Sequence, residues 1–203
     1  MLFQKKPQNE IATVEQQMLA LALQRRARRT KQLCLCVGIS LAAAFVYMLL
    51  ANQTSPWYMD LVKPFFALPP MFNNLGWLAA HGSAGVALAA VLDAPRTAHS
   101  RAAFAHMAFL AVTLWAFAFV FHRLYAPAIG FLLLGILLFA AFVTMGAFKK
   151  ATAPPPPEQE NPVNINPDDQ SFSRGEWGAA FLLPYIIWVG YALAVQYCVV
   201  IFN

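Results

Sequence analysis

"LCLCVGISLAAAFVYMLLA" fills residues 33–51, nineteen positions without a charge. At a rise of ~1.5 Å per residue, a helix of this length spans the ~30 Å hydrocarbon core of a bilayer. Four further apolar runs follow, at roughly 72–92, 102–121, 126–148 and 178–202. They are continuous rather than alternating, which predicts membrane helices and not a barrel. Composition agrees: 60% of the 203 residues are hydrophobic and 11% charged, where a soluble domain carries about a quarter charged residues. The predicted fold is an all-α integral membrane protein, a bundle of five transmembrane helices. The first run stands behind a long polar stretch, which argues against an ordinary cleaved signal peptide.

Basic residues set the predicted orientation. With the N-terminus inside, the inner side holds Lys5, Lys6, Arg25, Arg26, Arg28, Arg29, Lys31, Arg96, Arg101, Lys149, Lys150 and Arg174. The outer side holds Lys63 and Arg123. Twelve against two is a topology signal, so the basic balance needs no nucleic acid to explain it, and it suits anionic lipid. Bacterial cytoplasm and an organelle interior, such as that of a mitochondrion, fit this bias equally. Cys34, Cys36 and Cys198 all fall in apolar stretches. Cys34 and Cys36 point to different helix faces, so no disulfide framework or paired metal clamp is read there.

The chain divides into a basic N-terminal extension (1–32), four spans (33–148) with a lid loop at 52–71, a Pro-rich polar loop (149–177) and a fifth span (178–203). Ile11, Val14, Met18 and Leu21 recur at helical steps before the arginines, which predicts an amphipathic helix on the headgroups or docked on a partner; an organelle-targeting presequence is a third option that Glu10 and Glu15 weaken. The segment KKATAPPPPEQENPVNINPDD, residues 149–169, has four consecutive prolines and no helical period, as a semi-rigid extended linker would. Between spans three and four the hairpin is only His122 to Tyr125, with Pro127 placed for the first turn of the next helix.

The lid loop is the unusual connection. "SPWYMDLVKPFFALPPMF", residues 55–72, carries aromatics, an Asp60/Lys63 pair three apart, and Pro64, Pro69 and Pro70. An ion pair and stiff prolines suit a rigid cap over a bundle. Within the spans, Trp77, His81 and Gly85 lie four apart on one helix face, as do Trp115 with Phe119 and Trp188 with Ala192. The small neighbours Gly82, Ser83, Ala84 and Ala89 allow close helix approach or leave room for a flat ligand. Packing and an interfacial belt account for such aromatics as well. His81, ionisable within a span, is the sharpest candidate. It could hydrogen-bond or ligate a guest, make an interhelical hydrogen bond, or sit among headgroups.

Trp57, Tyr58, Leu61, Lys63 and Pro64, then Trp77 and Gly85, with Pro69-Pro70 one residue late, resemble the pattern of the TspO/MBR family, the translocator proteins and tryptophan-rich sensory proteins. Leu114-Trp115 in the third span and Pro184, Tyr185, Trp188, Ala192 and Asn203 in the fifth continue the likeness, in order, over residues 33–148 and 177–203. Departures are Phe66, Met71 and Val200 in place of Trp, His81 in place of Tyr, Gln196 and Val112 in place of Asn, and Gly130 near a common acidic position. Val195 and Tyr197 lack the basic residue that would complete a sterol motif.

The resemblance implies a five-helix bundle with a lidded internal pocket whose ligands are porphyrins, haem or sterols. The candidate ligand-binding residues are Trp57, Tyr58, Trp77, His81, Trp115, Phe119, Tyr185 and Trp188, with Asp60, Lys63, Pro64, Pro69 and Pro70 in the lid. No nucleophile–base pair, carboxylate pair or metal-ligand cluster is legible, so no enzyme activity, resident metal or required cofactor is expected. Two functions stand: binding of a hydrophobic planar ligand for transport, storage or sensing, or a structural subunit of a larger membrane assembly. Membrane lipids are expected partners. The reading admits a homodimer and protein partners through residues 1–32 and 149–177.

Overall fold

The computed structural model describes residues 8–93, 98–151 and 178–203. Among them run α1 (Gln8–Leu50), α2 (Pro56–Asp60), α3 (Pro70–Asp93), α4 (Ala98–Arg123), α5 (Pro127–Ala151) and α6 (Leu183–Phe202). Five of these helices are long and apolar enough to cross a membrane. The Pro-rich loop beyond Ala151, together with Arg96, Arg174 and Trp177, lies outside the described residues.

Packing closes the five long helices into a ring: α1 against α3, α3 against α6, α6 against α5, α5 against α4, and α4 back against α1. Trp77, Leu114, Leu134, Leu137 and Phe148 are fully buried at its centre. The outer wall is apolar too, with Leu132, Phe139 and Ile187 exposed, as expected where the solvent is lipid rather than water. At the α1–α3 contact, a Cβ on Gly85 would stand 2.6 Å from the Val37 Cα. Glycine is what lets those two backbones meet.

Local chemistry sets the helix ends. Ser55 Oγ accepts from the Tyr58 amide at 3.2 Å, and Pro56, Pro70 and Pro127 each open a helix, where a missing N–H costs nothing. The α4–α5 hairpin turns on Tyr125 at φ 54°, a left-handed position that is uncommon for so bulky a side chain and costs roughly 1–2 kcal/mol. Arg123 closes the other side of that corner by donating to the Leu50 and Leu49 carbonyls at 3.2 and 3.3 Å.

One expectation is corrected. The helix expected over residues 8–32 is present but is not a separate element: α1 runs unbroken for 43 residues from Gln8 into the span, about 65 Å at the usual rise. The physical reason is composition. From Gln8 to Leu33 there is neither Gly nor Pro, and Gln, Glu, Ala, Leu, Arg and Lys predominate, so nothing ends the helix where the polar segment meets the apolar one. Gln16 to Lys31 are all exposed, and Met18 and Leu21 share their face with Arg25 and Arg29 rather than forming a clean apolar stripe.

Candidate functional site

Two hollows matter, and they lie at opposite ends of Trp77 and His81. The first sits under the lid. Its volume is about 50 Å³, and its walls include Tyr47, Tyr58, Lys63, Trp77, His122 and Gln196. The second, about 280 Å³, is a groove between α1 and α4 floored by α3, lined by Cys36, Ser40, His81, Ala84, Met107, Ala111 and Tyr185 among others.

The lid is fastened by two side chains of α6. Asn203 pairs with the Val62 backbone, its Oδ1 accepting from the Val62 amide at 3.0 Å and its Nδ2 donating to the Val62 carbonyl at 3.1 Å. Tyr191 Oη accepts from the Leu68 amide at 2.8 Å and donates to the Phe66 carbonyl at 3.2 Å. The expected Asp60–Lys63 brace is a second correction: among the described residues the two form no ion pair. Lys63 instead donates to the Tyr58 and Leu61 carbonyls and lies over the Tyr58 ring, 4.3 Å from its centroid. A carbonyl pair plus a ring face holds the ammonium better than a carboxylate exposed to water. Pro64 is buried, whereas Pro69 is exposed and Pro70 begins α3. Burial, then the nearby Asp60 charge acting in the opposite sense, leaves Lys63 below the usual lysine range. Burial, then Tyr191, pushes the Tyr58 phenol up, so Tyr58 stays neutral.

The predicted site residues divide into three groups. Trp77, His81, Tyr185 and Trp188 do come together: Trp77 stands 6.0 Å from His81, 6.4 Å from Tyr185 and 6.4 Å from Trp188, and His81 stands 5.2 Å from Tyr185, ring centroid to centroid. These rings pack on each other as a cluster joining α3 to α6. Trp188 presses on the α3 backbone, where a Cβ on Gly76 would come within 2.0 Å of its ring. Tyr58 lines the lid cavity, while Trp57 leaves it and packs on Phe121 and on Tyr125 of the hairpin, at 5.3 and 4.8 Å.

Trp115 is a tie between helices, its indole N–H donating to the Ala43 carbonyl of α1 at 2.9 Å. Phe119, one turn on, is 48% exposed and lines neither hollow. Four-residue spacing put the pair on one face, but that face turns outward to lipid at its end.

The hydrogen bond that His81 makes stays within its own helix. The side chain is buried, and its Nδ1 lies 3.0 Å from the Trp77 carbonyl. Residues that sequence reasoning passed over are Tyr47, which meets Trp77 at 4.9 Å, Tyr191, Ser40 and His122. The last of these stands at a helix end but is buried beside Tyr58, at 5.2 Å. Only Asn203 carried a signal, through its place in the motif of the last span.

The lid cavity has room for one or two waters, which would serve the otherwise unpartnered Gln53 Oε1 and His122 Nδ1. A tetrapyrrole does not fit it. Even a single benzene ring occupies an engineered cavity of about 150 Å³, well above the volume under the lid. The groove also has no Lys or Arg in its lining for propionates. Among the described residues no three His, Cys, Asp or Glu cluster as metal ligands.

No curated protein is similar enough to match the chain. The sequence model of the TspO/MBR family matches residues 33–201, the stretch that builds all five spans, the lid and the Trp77–Trp188 cluster. Five membrane-spanning helices closed in a ring and a lid fastened to the last of them are thus carried on a match covering most of the sequence: the chain belongs to the TspO/MBR family, a multi-pass integral membrane protein.

Proposed function

We propose that this protein binds a hydrophobic ring compound taken laterally from the bilayer, for its transport, storage or sensing, and that it performs no chemistry on it. The observation that carries the reading is the groove of about 280 Å³ between α1, α3 and α4. It is apolar apart from a few buried polar atoms, as small-molecule sites generally are. Its rim residues Leu35, Ile39 and Phe104 are exposed at the level where α1 and α4 cross the membrane, so entry is from lipid rather than from water. The N-terminus lies on the inner side by the distribution of basic residues. The ligand is smaller than a porphyrin or haem, and no cofactor is required.

The test uses the protein in lipid nanodiscs, with occupancy by alkylated one- and two-ring compounds and by protoporphyrin read by native mass spectrometry. Ala111 lines the groove, so Ala111→Phe plugs it. The reading expects the small rings to bind and the plug to remove them. Binding unaffected by the plug, or protoporphyrin bound in preference, contradicts it.

A second reading has its own observation. Gln16 to Lys31 form an exposed helical arm with Met18, Leu19, Leu21 and Leu23 among its arginines, which suits a structural subunit docked on protein partners. Deleting residues 1–32 separates the two: a subunit sheds its co-purifying partners, whereas a ligand-binding protein remains binding-competent.

A further inference from the structure

We propose that the groove recognises a phenolic lipid: an aromatic ring with a free hydroxyl, carried on a long apolar tail that stays in the bilayer. The inference rests on the reading of the groove as the ligand site and adds the ligand's chemistry.

His81 fixes the polarity. Its Nδ1 faces the Trp77 carbonyl at 3.0 Å, and a carbonyl can only accept, so Nδ1 carries the proton. In the neutral ring Nε2 is then a bare acceptor, and among the described residues nothing donates to it. Beside it, edge-on at 5.2 Å between ring centroids, stands Tyr185, whose hydroxyl is buried without a partner. Ser40 Oγ, on the α1 wall, is in the same condition. All three residues line the groove and all are more than nine-tenths buried. The Tyr185 and Ser40 hydroxyls are thus orphaned at depth, which is uncommon and costly.

A hydroxyl answers this set. Its hydrogen goes to Nε2, and its oxygen accepts from Tyr185 or Ser40. A ketone or an ether only accepts and leaves Nε2 unserved, while a hydrocarbon leaves all three groups unserved. A phenol is a stronger donor than an aliphatic alcohol, and its ring would lie among His81, Tyr185, Phe104 and the Met107 thioether, partners that favour an aromatic face or edge. About 280 Å³ holds one or two rings by the benzene measure. The absence of Lys and Arg from the lining argues against an anionic head. The exposed Leu35 and Ile39 on the rim give the tail its exit.

The probes are 4-decylphenol and its methyl ether, 4-decylanisole, titrated into the full chain in nanodiscs with occupancy read by native mass spectrometry. Donation to Nε2 should favour the phenol by about tenfold, the scale of one net hydrogen bond. His81→Phe should bring the phenol-to-ether ratio to about one. Tyr185→Phe should weaken both probes and leave the ratio intact, because the ether oxygen also accepts. Thermal unfolding checks that each variant is folded, and the wild-type ratio is informative without them. Equal binding of both probes, both blocked by Ala111→Phe, overturns the phenol inference and leaves the groove reading standing. No binding of either probe overturns both.

Discussion

Asn203→Ala tests whether the lid is held as described. The side chain makes two hydrogen bonds to the Val62 backbone, at 3.0 and 3.1 Å, and a third to the Val199 carbonyl of its own helix at 2.9 Å. Only the first two fasten the lid. Each is a neutral bond worth about 0.5–1.5 kcal/mol net. Both are solvent-exposed, so the lower half of that range applies and the pair contributes about 1–2 kcal/mol against local opening. That corresponds to a change of roughly 5–30-fold in the opening equilibrium. The Val62 amide is itself the reporter, because its N–H is the donor to Asn203. Hydrogen exchange followed by fragmentation mass spectrometry should show Val62 exchanging faster by that factor in the variant. The Leu68 amide, which is bonded to Tyr191, should be nearly unchanged. Tyr191→Phe should reverse the pattern. Unchanged exchange at Val62 refutes the reasoning, since it means that another contact keeps that stretch of the lid closed.

Gly85 and Gly82 make a matched pair. Gly85→Ala drives a Cβ to 2.6 Å from the Val37 Cα and should destabilise by about 1–3 kcal/mol as overpacking does. Gly82→Ala meets nothing within 4 Å and should be neutral or stabilising by up to about 1 kcal/mol through helix propensity. Thermal unfolding in mild detergent decides, and equal midpoints for the two variants contradict the α1–α3 contact. Trp115→Phe removes the bond to the Ala43 carbonyl and should cost about 0.6 kcal/mol, the mean found for interhelical hydrogen bonds in membranes, while groove binding is retained. Loss of binding at full stability would instead make Trp115 a ligand contact. Lys63 should titrate below the ordinary 10.5 because burial disfavours its charge. Between its folded pKa and 10.5 the unfolded chain binds more protons, so rising pH through that window adds stability from this group. A carbon-13 NMR titration of the lysine side chains checks it, and a Lys63 midpoint at or above 10.5 contradicts it.

The spans were legible because membrane helices announce themselves by continuous apolarity, and Pro127 announced its helix start by its missing N–H. The fate of residues 8–32 was not legible from the pattern of Ile11, Val14, Met18 and Leu21. Whether a polar helix bends at the membrane depends on a breaker between the two segments, and the decisive feature was the lack of Gly or Pro there. Spacing placed Trp77 and His81 on one face correctly. It could not tell that His81 Nδ1 would turn back to the Trp77 carbonyl and leave Nε2 for the groove. Phe119 shows the opposite failure, sharing Trp115's face by count but ending at the lipid side. Ser40 and Tyr191 matter only through what other helices bring beside them, and a one-dimensional pattern does not contain that. Asp60 and Lys63 looked like a pair because charge alone was visible, whereas the backbone carbonyls that Lys63 found have no sequence signature.

Where a hydrophobic ligand enters is the claim on which the account turns. A decylphenol carrying a diazirine on its ring, photolysed in nanodiscs and mapped by peptide mass spectrometry, tests it most directly. The account predicts labels on Ile39, Phe104, Met107 or Ala111 of the groove, lost in Ala111→Phe. Labels concentrated under the lid, at Tyr58, Ala67, Leu68 or Val195, would contradict it and put the ligand in a cavity that must open to receive it.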